Sequence, residues 1–341
     1  MVVALAFVVG AGCLLGLVAF RMVGSDNGWP TTVTRTADGW RLGSPDGLSQ
    51  DGVALSDRCL TWLNGGCLEL LDLRSGRVTV LEQPPSDGTG GFAAVVSDRF
   101  AVWMSNDGTG DSTGVQVYDV VTGRRFLVRG ANPGDIALDG STLFWDQSMP
   151  TPSDPDWTVI SSRDLVSGRS ARVASGDVLL EQAGGGLVMW TQVHGKGNDD
   201  PFTVVADLAT GRLWRLALCP KGWQEWGCYL SGRVVVWQVE RDPTGSRLGT
   251  SLIEALDLDS DARRRVAEGK APDMLVAGGG RIFWSCGSRS YVQAATGGAV
   301  HALPGLRINE GPPALSADMV AGGVGDAAGG SAAIDVVRLA P

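Results

Sequence analysis

Six stretches decide the fold: SDRCLTW (56–62), SDRFAVW (97–103), DGSTLFW (139–145), GGGLVMW (184–190), SGRVVVW (231–237) and GGGRIFW (278–284). Each is a short polar or glycine turn followed by an apolar run that stops on tryptophan, and the tryptophans recur 41 to 47 residues apart. A repeat of that length marks an array of like supersecondary units. A second signature follows five of them: LDLRSGRVTVL (71–81), YDVVTGRRFLV (118–128), RDLVSGRSARV (163–173), ADLATGRLWRL (206–216) and LDLDSDARRRV (256–266). The sixth unit keeps ATGGAVHAL (295–303) without the aspartate, and ALSADMVAGG (314–323) with AAIDVVRLA (332–340) makes a degenerate seventh.

Within a unit, apolar residues alternate at period two, β-branched types dominate, and Gly, Asp, Ser and Asn punctuate the runs, which reads as four short strands. In the first unit strands a to d are expected at 53–56, 59–63, 67–73 and 78–81. The Asp-x-x-Ser/Thr-Gly element joins c to d, with aspartate accepting backbone N–H bonds and glycine taking the positive φ of a tight hairpin. A sheet this small cannot cover both of its own faces, so the units stack face to face with tryptophan between them. Radial stacking predicts an all-β, seven-bladed propeller over 31–341. The seventh unit runs out before its strand d, and 31–36 or 39–43 is expected to supply it and close the ring.

These turns resemble those of the bacterial β-propeller families of the PQQ-like, TolB-like and YVTN type, broadly WD40-like, over residues 31–341. Unit four, Ala206 to Trp214, is the most similar to the quinoprotein repeat, although Trp214 stands one residue early for it. The resemblance implies scaffolding, protein contacts in the cell envelope or, less often, a cofactor enzyme, and a shared fold does not choose among these.

Residues Val2 to Phe20 carry no charge. At 1.5 Å per residue they span about 28 Å, close to the hydrocarbon thickness of a bilayer. That predicts a transmembrane anchor at 1–21, a linker at 22–30 and a single-pass location in the cell membrane. No basic segment precedes the run and no small-x-small site ends it, which argues against a cleaved signal peptide. Arg21 would draw the following chain to the cytoplasm. Cys219 and Cys228, spaced to close a local disulfide in an oxidising compartment, favour the extracytoplasmic side, as does the resemblance. Cys59, Cys67 and Cys286 leave an odd count, and all five also read as small buried hydrophobes.

With 28 basic and 37 acidic residues the chain is acidic, which argues against nucleic acid as a partner. In the four-stranded order, a–b and c–d turns share one face, where they are short. The b–c and d–a connections share the other, where they are long, and long loops on a rigid scaffold are where binding sits. There Asp107, Asp111, Asp199, Asp200, Glu240 and Asp242 outnumber Lys196, Lys221 and Arg241. Such a face suits a basic protein partner or a divalent cation, although loop aspartates also serve simply to stabilise turns. Trp223 and Trp226, with Glu225 between them, lie outside the blade series, inside the Cys219–Cys228 segment. They are expected either to contact a protein or sugar, or to plug the channel mouth or pack on a blade edge.

Catalytic patterns are sparse. His194 and His301 are the only histidines, and no P-loop, H-E-x-x-H or C-x-x-C occurs. NDGTGD (106–111) lacks calcium-loop spacing. No catalytic residue, cofactor or metal is therefore assigned. The expected function is a non-enzymatic, membrane-anchored binding or scaffolding module. The alternative is an enzyme or sensor that holds a small molecule, quinone-type cofactor or metal in the central channel.

Overall fold

The computed structural model describes residues 20–23 and 31–339, apart from 44–47, 65, 84–92, 107–111, 130–132, 152–156, 194–200, 221–222, 242–249, 271, 273, 288, 304–305, 307–309 and 325–332. It is an all-β propeller of seven antiparallel sheets, six of them four-stranded and in simple sequential order. In the first blade the strands are Ser49–Leu55, Cys59–Asn64, Cys67–Asp72 and Arg77–Glu82, within four residues of the expected limits. The seventh sheet takes Glu310–Leu315, Met319–Val324 and Ala333–Arg338 from the end of the chain. Gly39–Gly43 lies antiparallel to Ala333–Arg338, Thr31–Arg35 pairs outside it, and Phe20–Val23 outside that.

The core is divided among the gaps between blades. Six tryptophans lie there as expected: Trp62, Trp103, Trp145, Trp190, Trp237 and Trp284 are each under a tenth exposed. Alternation along strand b sends each of them toward the preceding blade. Trp103 packs on Leu68, Leu70 and Leu81 of blade 1, and Trp237 on Leu187, Met189 and Val205 of blade 4. Trp62 meets Ile334 and Val336 of the seventh sheet, with Val33 and Leu42 from the N-terminal side. In blade 7 the equivalent position, three residues into strand b, is Gly322, and that gap is filled instead by Phe283, Val292, Leu306, Val320 and Leu339.

The aspartate turns work as the motif requires. Asp119 Oδ1 accepts the N–H groups of Val121 and Thr122 at 2.9 and 3.2 Å, and Gly123 follows at φ 72°. The same bonds recur at Asp72, Asp207 and Asp257. Their backbone donors hold the Asp164, Asp207 and Asp257 carboxyls below the usual range, each despite some opposing desolvation. At Asp72 and Asp119 burial pushes upward most strongly, but the turn amides with Arg58 and Arg99 outweigh it. The fifth turn has Asp261 where the others have glycine, and it takes the left-handed conformation at φ 54°.

The membrane location expected from the N-terminus is overturned. Among the described residues no helix is long and apolar enough to cross a membrane. Phe20, the expected last residue of the span, starts a strand whose register runs Phe20↔Thr34 to Val23↔Thr31. Those residues are extended and exchange hydrogen bonds with a neighbouring strand, a geometry no α-helix provides. Residues 1–19 lie outside the described residues.

Trp103 fills the gap between blades 1 and 2 and donates Nε1–H to Glu82 Oε2 at 3.0 Å. Trp103→Ala therefore removes both packing and a cross-blade bond, and should cost about 3–5 kcal/mol. Urea unfolding checks this as a lowered midpoint with an unchanged slope.

Candidate functional site

Each of the seven innermost strands is the edge strand of its sheet on the channel side, and four of them break register against the next strand: Ser49–Leu55, Val178–Gly184, Gln224–Ser231 and Glu310–Leu315. In the second and third of these the break extrudes a single residue. Along Val178–Gly184, Leu180 faces Trp190 and Gln182 faces Met189, so Glu181 is an extra residue without a partner. Along Gln224–Ser231, Glu225 faces Val239 and Gly227 faces Gln238, so Trp226 is extra in the same way. A bulge of this kind re-aims one side chain out of the sheet. Trp226 emerges 60% exposed, and Leu179, two residues before Glu181, is 49% exposed. Apolar side chains of this size are normally covered, so their exposure on adjacent inner strands is informative.

Acidic groups converge on the same place. Asp135 stands just before the inner strand of blade 3, and its field reaches Glu181 of blade 4, whose field in turn reaches Glu225 of blade 5. All three carboxyls are raised above their ordinary range. Desolvation is the leading cause at each, followed by Asp146 for Asp135 and by Glu181 for Glu225; at Glu181 the Thr191 hydroxyl partly offsets it, and Asp135 and Asp146 add to it. The site is therefore negative, with no basic side chain paired to these three groups among the described residues.

Its frame is tied across blades. Asp146, 4% exposed, accepts Asp135 N–H at 2.7 Å through Oδ1 and Leu180 N–H of the next blade at 3.1 Å through Oδ2. Gln182 Oε1 accepts Leu230 N–H of blade 5 at 2.6 Å. Thr191 donates its hydroxyl to Glu181 Oε1 at 3.0 Å. Side chains locked to the backbone of a neighbour fix the spacing of blades 3, 4 and 5 at the channel mouth.

The residues expected from sequence divide three ways. Glu225 and Trp226 are at this mouth, whereas Trp223 is partly buried against the cluster between blades 4 and 5. Glu240 is not a loop residue: it is 8% exposed, in strand Val234–Arg241, in register with Gln224 and Ser251. Asp107, Asp111, Asp199, Asp200 and Asp242 lie outside the described residues, as do His194, Lys196 and Lys221.

The expected Cys219–Cys228 disulfide is not formed, and both thiols are free. Strand alternation turns Cys228 inward, where its Sγ meets Met189 Sδ at 3.5 Å, while Cys219 stays exposed and donates to Trp223 O at 2.9 Å. Burial, then the Glu225 charge, pushes both thiols up, so neither is an activated nucleophile. Burial likewise drives Cys59 up to about 12.

One motif was overlooked in reading the sequence. GDSTG (110–114) fits G-x-S-x-G, but Ser112 begins strand Ser112–Asp119 and no helix follows among the described residues, so there is no nucleophile elbow. Asp135 and Glu181 were also missed, because no motif flags them. A bulge is the only signal that could have found Glu181, and it exists only in the paired sheet.

Neither a protein-family model nor a curated protein matches the chain. Solved structures do. An oligogalacturonate lyase in complex with manganese superposes with a TM-score of 0.57 at 14% identity, over 95% of this chain and 96% of that one. An oligogalacturonate lyase from Vibrio parahaemolyticus gives 0.59 at 12%, over 95% and 97%. A prolyl endopeptidase gives 0.55 at 13%, over 87% of this chain and 50% of the other. At these identities the likeness is one of fold. Among the described residues no three His, Cys, Asp or Glu side chains are placed to share a metal ion.

The raised carboxyls have a thermodynamic sign. A carboxyl whose folded pKa exceeds its unfolded value binds more protons in the native state, so stability falls as pH rises through that interval. Glu181→Gln should therefore raise the melting temperature at pH 7, and the gain should shrink at pH 4, where the wild-type group is largely protonated. Paired thermal melts at the two pH values check both halves.

Proposed function

We propose that this propeller is a non-catalytic docking module that receives a basic polypeptide segment at the mouth formed by blades 3 to 5. The observation that carries the reading is Trp226, 60% exposed on a bulge beside Glu225. Tryptophan in such a place supplies a large contact surface and a face for a cation. Asp135, Glu181 and Glu225 supply the charge, and a basic side chain arriving there relieves their mutual repulsion. Nearby, neither thiol is activated and no elbow serine is formed, so the site offers recognition more readily than group transfer. The similarity of the aspartate turns to TolB-like and YVTN-type repeats supports the same scaffolding use.

Fluorescence anisotropy with a labelled lysine-rich peptide tests it, against a glutamate-rich control of equal length. The lysine-rich peptide should bind, more weakly at high salt. Trp226→Ala should cost about 2 kcal/mol or more, as central aromatic anchors do, and Glu225→Gln should weaken binding in the same direction. Equal binding of both peptides, or indifference to both substitutions, would overturn the reading.

The docking face needs blades held at fixed spacing, and we read Gly39–Gly43 as the strand that closes the ring. In support, Arg41 pairs with Asp335 at 3.0 Å across the two chain ends. A Cβ on Gly39 would sit 1.9 Å from the Val336 carbonyl oxygen, whereas one on Gly43 would meet nothing within 4 Å. Gly39→Ala should therefore destabilise by about 1–3 kcal/mol through forced displacement of the strand. Gly43→Ala, its control, should fall well below that in the same urea titration.

A further inference from the structure

Below the mouth, the channel continues as a cavity of about 540 Å³ to which all seven innermost strands contribute. Most of its side chains are small and alkyl, among them Val53, Ala94, Ile136, Ala183, Val276 and Leu315, while Gln182, Glu181 and the strand backbones make the rest of the wall polar. In register, Ala94 and Ile136 stand opposite the blade tryptophans and Gly184 and Gly278 at the a–b turns, so the cavity occupies the short-turn half of the channel. Its rim on that side is glycine, at 184–185, 232 and 278–280. The arginines that follow two of these turns are engaged elsewhere, Arg233 with Asp207 and Asp259 and Arg281 with the Ala317 carbonyl. Among the described residues Glu181, at the upper end, is the single ionisable side chain in the lining.

A volume of this size is that of a small-molecule site. The chemistry of the wall restricts what fits. Alkyl side chains favour a hydrocarbon body. Glu181 has one described hydrogen bond, from Thr191, and a carboxylate with two oxygens retains further acceptor positions. Asp135 and Glu225 reinforce its negative field from above. An anion would be repelled, and a neutral ligand would leave the field unanswered. Inner strands, being sheet edges, leave backbone N–H and carbonyl groups unpaired on their free side, and the carbonyls near Glu181 can accept the remaining N–H groups of an ammonium.

We infer that the short-turn half of the channel binds an apolar amine, its protonated nitrogen on Glu181 and its hydrocarbon body against the alkyl walls. This site opens on the face opposite the docking mouth and needs neither Trp226 nor a polypeptide partner. The two sites share only Glu181, so occupancy of one changes the field felt by the other.

Isothermal titration of the full chain at pH 7 with 1-octylamine, 1-octanol and octanoate, all below micellar concentration, tests it. The amine should bind with one-to-one stoichiometry. The alcohol should bind at least about tenfold more weakly, the scale of one charge-assisted hydrogen bond, and octanoate should give no binding. Glu181→Gln should lower amine affinity by about the same factor. Ala54→Leu, which narrows the channel without touching the charge, should weaken amine and alcohol together, and thermal melts establish that both variants are folded. Trp226→Ala should leave the amine isotherm unchanged while weakening peptide binding, which separates failure of this site from failure of the docking face. The inference is overturned by equal affinities for amine and alcohol, by a folded Glu181→Gln variant that binds the amine undiminished, or by no binding of the amine at all.

Discussion

A four-stranded sheet of forty-odd residues has two apolar faces and no means of covering either, and every other feature of this chain follows from that deficit. Each blade sends the tryptophan of its second strand into the blade before it, and six of the seven gaps are filled in this way. The seventh, where Gly322 stands in the tryptophan's place, is packed by branched aliphatics and Phe283. Burial is therefore shared between neighbours, and a blade outside the array would expose the surface that stabilises it within. The first blade finds its neighbour in the last, through Trp62 against Ile334 and Val336.

That arrangement leaves the inner strands free for other uses. Their sheet partners lie on one side only, so a register break there costs one ladder bond rather than two. Blades 4 and 5 each carry such a break, and each puts its extra residue at the channel: an acid in one, an indole in the other. Holding Asp135, Glu181 and Glu225 together without a cation opposes folding, as their raised pKa values indicate. Asp146 and Gln182 offset the strain by spending side-chain acceptors on the backbone of the next blade. Local conflict of this kind, stabilised from its surroundings, is the usual mark of a binding surface.

The fold was legible because its determinants are local and repeated. Tryptophan at a fixed offset from the a–b turn is written in six units and aspartate capping the c–d turn in five, and both behave as written. The site was legible only in part. Trp226 stood out as a tryptophan outside the series, but Glu181 and Asp135 are unremarkable as letters, and only pairing with the next strand shows that one of them is extruded. Glu240 was misplaced because strand Val234–Arg241 runs further than its apolar residues suggest. Spacing alone suggested a bond between Cys219 and Cys228, yet strand alternation decides which way a thiol points. Hydropathy suggested a span through Phe20, and a hydropathy count carries no information on whether the chain there coils or pairs.

Hydrogen–deuterium exchange of the full chain, with and without a saturating lysine-rich peptide, tests most directly whether binding is set by the inner strands of blades 3 to 5. Slowed exchange confined to peptides covering 134–139, 178–184 and 224–231 is the predicted result. Protection centred on the aspartate turns of the opposite face, or none on these three strands while the peptide is bound, would contradict it.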